Sequence, residues 1–245
     1  MKPFSEHDLL NIWERGLGLH PIDQALVMLD IADTNERSKE LMNLSIGQRD
    51  MLLMKLRQLT MGSHAAGKSQ CPHCNEQVEF DIDLAELSRA HAMDAPAREF
   101  TFEEKGYRLF GKVPDSLDIA AAAQCNDELS ARYILLQRCI LKAEYEGDNI
   151  TWDEVPEDII FSFSEETLRT DPMAEVQFSV SCPTCSYQWP EVFDIVSYFW
   201  SEISDYVKRL LRDVHLLARV YGWSEADILA MSPNRRRIYM EMIYQ

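Results

Sequence analysis

The chain has 245 residues, of which 46% are apolar and 27% charged, and carries a formal net charge of −17. That length buries a sizeable core in one large domain or two modest ones, and the composition excludes a fibrous or disordered chain. The negative charge excludes a protein whose whole surface binds nucleic acid or anionic lipid, because phosphate would be repelled over most of it.

The opening "MKPFSEHDLL" has neither the basic n-region nor the unbroken apolar h-region of a signal peptide, and no run of about eighteen apolar residues predicts a membrane span. The expected compartment is the cytoplasm, where thiols stay reduced and paired cysteines point to metal or redox chemistry. Ser5 caps a first helix with Leu9, Leu10, Ile12 and Trp13 on its apolar stripe and Gly16 as its stop. Pro21 opens a second, with Ile22, Ala25, Leu26 and Leu29 on one face. "SIGQRDMLLMKLRQLTMG" begins with Ser45 and Gln48 spaced as a capping box and closes at Gly62. Residues 1–68 therefore read as a helical N-terminal region.

Next comes "SQCPHCNEQVEFDID", in which Val78, Phe80, Ile82 and Leu84 alternate with polar residues at the period of a half-buried strand. Residues 85–173 read as an α/β insert. Its "REFTFEEKGYRLFGKV" predicts a hairpin turning near Lys105 and Gly106, with helical stretches around 115–141 and 157–169. "VQFSVSCPTCSYQWPEVFDI" then repeats the first cysteine layout. One strand enters the turn, and a less regular one leaves it because Pro190 interrupts ladder pairing.

From Val192 through Val196, Phe199, Ile203, Tyr206, Leu210, Val214 and Leu217 to Tyr221 the apolar spacing is three to four, which predicts one amphipathic helix of roughly 45 Å. Asp205 and Arg209 stand four apart in the order that favours an ion pair, and Gly222 is the stop. Ser224 with Asp227 caps a short helix, and Ser232-Pro233 starts the last one. The fold class is α+β, mainly helical. A helical layer (1–68) and a split ribbon with short antiparallel strands (69–84 and 174–195) flank the insert, and a long helix with two short ones ends the chain (196–245).

Both cysteine pairs are Cys-Pro-x-Cys: Cys71 and Cys74, then Cys182 and Cys185. Two thiolates two residues apart on a tight turn reach one tetrahedral ion, and two such knuckles complete a four-sulfur shell. One structural zinc ion is preferred over rubredoxin-type iron and over disulfides or redox pairs, because a redox motif needs only one pair and here two match. A closed four-thiolate shell leaves no position for a substrate water, so the metal is expected to be structural. His73 is expected to be an exposed turn residue, and Cys125 and Cys139 small buried apolar residues.

No Ser-His-Asp or Cys-His arrangement, phosphate-binding glycine loop or HExxH motif occurs, so no enzyme activity and no small-molecule substrate are expected. Acidic runs such as "DNITWDEVPED" read as solvated turns. His215 reads as a core or boundary histidine, and Trp223 as a packing anchor. From Lys208 to Gln245, seven Lys and Arg stand against four Asp and Glu, a net of +3 that leaves −20 for the rest. Arg235, Arg236 and Arg237 are either a patch for an acidic partner or nucleic acid, or the solvated face of a short helix; the second is preferred.

The stretches "IWERGLGLHPIDQALVML", "CPHCNEQVEF", "CPTCSYQWPEVFDI" and "LLRDVHLLARVYGWSEADILAMSPNRRRIYMEMI" together resemble the baseplate hub assembly chaperones of T-even-type contractile phage tails, a family with relatives in prophages and contractile injection clusters. The resemblance runs from Trp13 to Tyr244. It implies a non-enzymatic role in assembling, or forming part of, the hub at the tip of a contractile tail, with baseplate hub or tail-tip proteins as partners. It also implies a partner-binding surface in "YGWSEADILAMSPNRRRIY", at Tyr221, Trp223, Ile228, Leu229, Pro233, Arg235, Arg236, Arg237 and Tyr239. The host cytoplasm, with retention in the tail particle, is the implied location. The competing reading is a zinc-ribbon nucleic-acid-binding or regulatory protein, which the −20 balance of residues 1–207 disfavours.

Overall fold

The computed structural model describes residues 1–33, 38–90 and 98–243. Helix α1 (Glu6–Gly16) starts where Ser5 and Asp8 close a capping box, and α2 (Pro21–Ala32) starts on Pro21, whose fixed φ suits the first turn. The short α3 (Ser38–Met42) precedes α4 (Ile46–Met61), which begins with the expected Ser45–Gln48 box and ends at Gly62. Leu9, Ile12, Met28, Leu29, Leu53 and Leu56 from these helices fill one core. On α2, Met28 is fully buried, whereas Leu26, expected on the inner face, is only partly covered.

Strand structure begins earlier than the sequence suggests. After Gly62 the chain enters β1 (His64–Gln70), which pairs antiparallel with β2 (Gln77–Asp83). "HAAGKSQ" gives little strand signal because Ala65 alone is buried and Gly67 is covered from across the ladder. A Cβ added to Gly67 would lie 2.2 Å from the Phe80 ring. Leu84, expected to end the strand, opens α5 (Leu84–Ala90).

The insert forms an antiparallel meander. Strands β3 (Glu99–Glu104) and β4 (Tyr107–Lys112) turn at Lys105 and Gly106, whose φ values of 50° and 84° make the two-residue hairpin the sequence predicts. The stretch read as helical from 115 to 141 divides into α6 (Ser116–Ala122) and α7 (Glu128–Cys139), because Asp127 caps a new start, and the chain then enters β5 (Ile140–Tyr145). With β6 (Asp148–Ile150) the sheet order is β3-β4-β5-β6. Helix α8 (Glu157–Thr170) lays Ile159, Ile160 and Phe163 on Leu109 and Ala143 as a second core.

A second ribbon, β7 (Gln177–Ser181) with β8 (Gln188–Val192), follows. Pro190 does not break it: Pro190 stands opposite Ser179 inside an unbroken register. In a two-stranded ribbon each strand has one unpaired edge, where a missing N–H costs no ladder bond.

Helix α9 (Ile195–Tyr221) starts three residues later than its apolar spacing suggests, since Val192 ends β8 and is 57% exposed. Asp194 supplies the start by accepting from the Val196 and Ser197 N–H groups. The helix is about 40 Å long. Ile195, Phe199, Ile203 and Val207 complete the main core, while Val214 and Leu217 begin a smaller one with Ile228. Helices α10 (Glu225–Leu229), capped by Ser224, and α11 (Pro233–Ile243) fold back on α9. His215, expected at the core or its boundary, is exposed on the outer side of α9. The fold is thus α+β and mainly helical, and among the described residues no helix is long and apolar enough to cross a membrane. Tyr244, where the sequence resemblance ends, lies outside the described residues.

Candidate metal centre

The two cysteine hairpins are built alike, position by position. In the first, Cys71 N–H donates to Glu76 O at 2.8 Å and Asn75 N–H to Cys71 O at 2.9 Å. In the second, Cys182 N–H donates to Tyr187 O and Ser186 N–H to Cys182 O, both at 2.9 Å. Each turn closes through one non-glycine residue in the left-handed region, Asn75 at φ 61° and Ser186 at φ 59°. Backbone N–H groups of Glu76, Tyr187, Cys185 and Thr184 are aimed at the sulfurs of Cys74, Cys185 and Cys182.

The tips meet. Cys71 Sγ lies 3.7 Å from Cys185 Sγ and Cys74 Sγ 3.6 Å from Cys182 Sγ, and all four sulfurs lie within 4.8 Å of one another. Zn–S bonds of about 2.3 Å in a tetrahedron place sulfurs roughly 3.8 Å apart, whereas a disulfide needs about 2.05 Å. The four cysteines, free of disulfides, therefore fit a tetrahedral metal ion. Metal-free, the cluster is electrostatically uneven. Cys74 is exposed, and the Glu76 N–H favours its thiolate, but partial desolvation at the hairpin tips and the sulfurs of Cys185, Cys182 and Cys71 push its pKa up to about 12. Burial opposes ionisation of Cys182, yet the N–H groups of Cys185 and Thr184 bring it down to about 7. A divalent cation would hold all four as thiolates.

A packed layer fixes the two hairpins to each other. Phe80 meets Phe178 edge-on at 5.1 Å, and His73, exposed as expected, stacks on Tyr187 at 5.6 Å. Glu191 accepts from Trp189 Nε1 at 2.9 Å and, from the other hairpin, from Ser69 Oγ at 2.6 Å. Sequence reading missed Ser69 and Glu191, since their pairing spans 122 positions and no local pattern marks it. Cys139 is buried, which pushes its thiol up to about 12, and Cys125 is half-buried.

The C-terminal tail is the other region singled out by sequence. Tyr221 stacks on Trp223 with centroids 4.5 Å apart, Tyr239 meets Trp223 edge-on at 4.8 Å, and Arg235 lies over the Tyr239 ring at 5.7 Å. Leu229 is partly buried, and Tyr221, Pro233, Arg235 and Arg237 are exposed. Ile228 and Arg236 are turned inward. Ile228 is fully buried against Val214 and Leu217, and Arg236, 4% exposed, donates to Glu6 of α1, which also accepts from Tyr206. Ile228 and Arg236 are both buried and hold the tail to the body. Arg237 pairs with Glu241 at 3.8 Å.

No curated protein and no solved structure matches the chain. The family described as T4 bacteriophage base plate protein matches residues 22–200, a segment that includes both hairpins and all four cysteines and stops within α9. Since the match spans well over half of the sequence, the protein belongs to the T4 bacteriophage base plate protein family.

Proposed function

We propose that this protein is a non-enzymatic assembly factor or structural component of a contractile-tail baseplate hub, working by protein–protein binding on a zinc-stabilised scaffold. The observation that carries the reading is the family match across the segment that contains all four cysteines. Its role is thus structural or assembly-related in the baseplate, where its partners are other baseplate proteins, and the hub or tail tip is the part proposed. Zinc is the metal proposed for Cys71, Cys74, Cys182 and Cys185, because a closed, all-thiolate tetrahedron is its usual structural site. One ion would clamp residues 69–84 to 174–195 and so join the N-terminal helical region to α9 across the insert.

The tail is the proposed contact region. Tyr221, Trp223, Leu229, Pro233, Arg235, Arg237 and Tyr239 present an aromatic and cationic surface, with Ile228 and Arg236 as its supports. The nucleic-acid reading loses force here, because Arg236 is engaged by Glu6 and the chain's net charge of −17 repels phosphate. The proposed location is the host cytoplasm during assembly, with retention in the particle.

The test is capture by the tagged chain from cells expressing its gene cluster, with metal content measured on the same sample. Recovery of hub proteins with about one zinc per chain supports the proposal, and its loss in Trp223→Ala places the contact. Recovery of nucleic acid without tail proteins, or a folded metal-free chain, overturns it.

A further inference from the structure

A groove of about 500 Å³ runs between α9 and α11. It is lined by four guanidinium groups, Arg209 and Arg212 from α9 and Arg236 and Arg237 from α11, and among the described residues Asp213 is the one carboxylate in its lining. On a chain of net charge −17 this is a local reversal of sign. The expected Asp205–Arg209 pair is not formed: Arg209 lines the groove, and neither it nor Arg212 has an ion-pair partner among the described residues. Both are exposed.

Arg236 is the buried member of this set: it is 4% exposed and its Nη2 donates to Glu6, so the guanidinium groups open to a ligand are Arg209, Arg212 and Arg237. Leu216 and Met240 give the same groove an apolar wall.

We propose that this groove binds an acidic peptide segment of a baseplate partner, in which Glu or Asp alternates with apolar side chains. Its carboxylates pair with Arg209, Arg212 and Arg237, in the forked geometry that guanidinium favours, and its apolar side chains rest on Leu216 and Met240. The proposal rests on the reading of this protein as a baseplate-binding protein and adds the chemistry of the partner. Nucleic acid fits less well, because Tyr206 is the one aromatic residue in the lining and the rest of the chain repels phosphate.

The test uses the purified full chain and a short fluorescein-labelled peptide alternating Glu and Leu, read by fluorescence anisotropy. The Glu peptide should bind, and its Gln-for-Glu counterpart should bind at least about tenfold more weakly. Arg212→Glu should weaken binding by about tenfold, whereas Lys208→Glu, an equal charge change outside the groove, should leave it within about threefold. No binding, equal binding of both peptides, or equal losses in the two variants overturns the proposal. So does displacement of the peptide by a single-stranded oligonucleotide that binds more tightly. If wild-type and Arg212→Glu chains capture the same baseplate proteins, the groove assignment fails and the baseplate reading stands. If wild type captures none, the baseplate reading itself fails, whatever the peptide does.

Discussion

Asp50 lies beside Arg49, whose Nε donates to it at 2.7 Å, yet its pKa is raised to about 6. Burial is the main cause; Arg49 pulls the value down, and the carboxylates of Asp194 and Asp171 push it up again. The native state therefore keeps a proton that the unfolded chain releases near pH 4, so this group's contribution to stability falls as pH rises from about 4 to 6. The stability difference between wild type and Asp50→Asn should drop by on the order of 2–3 kcal/mol over that window and level off above it. Urea unfolding at several pH values checks this, and a flat difference would show that Asp50 is solvated. Asp118 is the opposite case. Burial works against its charge, but Lys112, the Asp115 backbone and Arg138 outweigh it and hold its pKa low, so its contribution is lost on acidification. Among the cysteines, Cys185→Ser should abolish stoichiometric zinc binding and lower Tm, while Cys125→Ser, outside the cluster, should leave the zinc content unchanged. Metal analysis with a thermal melt decides; full zinc in Cys185→Ser would mean that the four sulfurs do not share an ion.

At the scale of the element, the start of α4 shows how a local signal and a distant contact share one residue. Ser45 and Gln48 cap the helix, and Gly47 between them donates its N–H to Asp171 Oδ2 at 2.9 Å. Asp171 is buried, so its carboxylate also benefits from the positive end of the helix. A Cβ on Gly47 would lie 2.0 Å from Asp171 Oδ1 and 2.9 Å from Ala174 N, with backbone on one side of it. Gly47→Ala should therefore cost at least roughly 2 kcal/mol, despite alanine's better helix propensity, from overpacking and the displaced hydrogen bond. A denaturation midpoint equal to or above that of wild type would mean that Asp171 swings clear. The two cysteine hairpins repeat one design, with an antiparallel ribbon, a Cys-Pro-x-Cys turn and a left-handed residue four places after the first cysteine.

Over the whole molecule, the four-cysteine cluster joins elements far apart in the chain. Between Cys74 and Cys182 lie 107 residues, and both ribbons run into the main core, at Ala65 and Ile82 on one side and Val176 and Phe193 on the other. The insert has its own core around Leu109 and Phe163. A structural zinc ion contributes roughly 10–16 kcal/mol of apparent binding free energy in small peptides, so removing the zinc proposed for this cluster should loosen what it would clamp. Hydrogen exchange after chelation should rise in β1, β2, β7 and β8 and where they join α4 and α9, while β4 and β5 keep their protection. Unchanged exchange in the ribbons would show that packing alone holds the two halves together.

What the sequence determined by itself is what neighbouring residues decide. The caps at Ser5, Ser45 and Ser224, the turn at Lys105 and Gly106, the stop at Gly222 and the two Cys-Pro-x-Cys knuckles each depend on a few consecutive positions, and each is where the sequence puts it. Matching the two knuckles to each other also implied their meeting, because a tetrahedral thiolate site needs both. Tertiary structure decided the rest. Strand β1 exists because β2 pairs with it and Phe80 covers Gly67, and α9 starts at Ile195 because β8 holds Val192 in its ladder. Arg236 turns inward because Glu6, 230 positions earlier, accepts its proton-bearing nitrogen. Such contacts carry no local periodicity, and their energies come from partners that only the folded chain brings into reach.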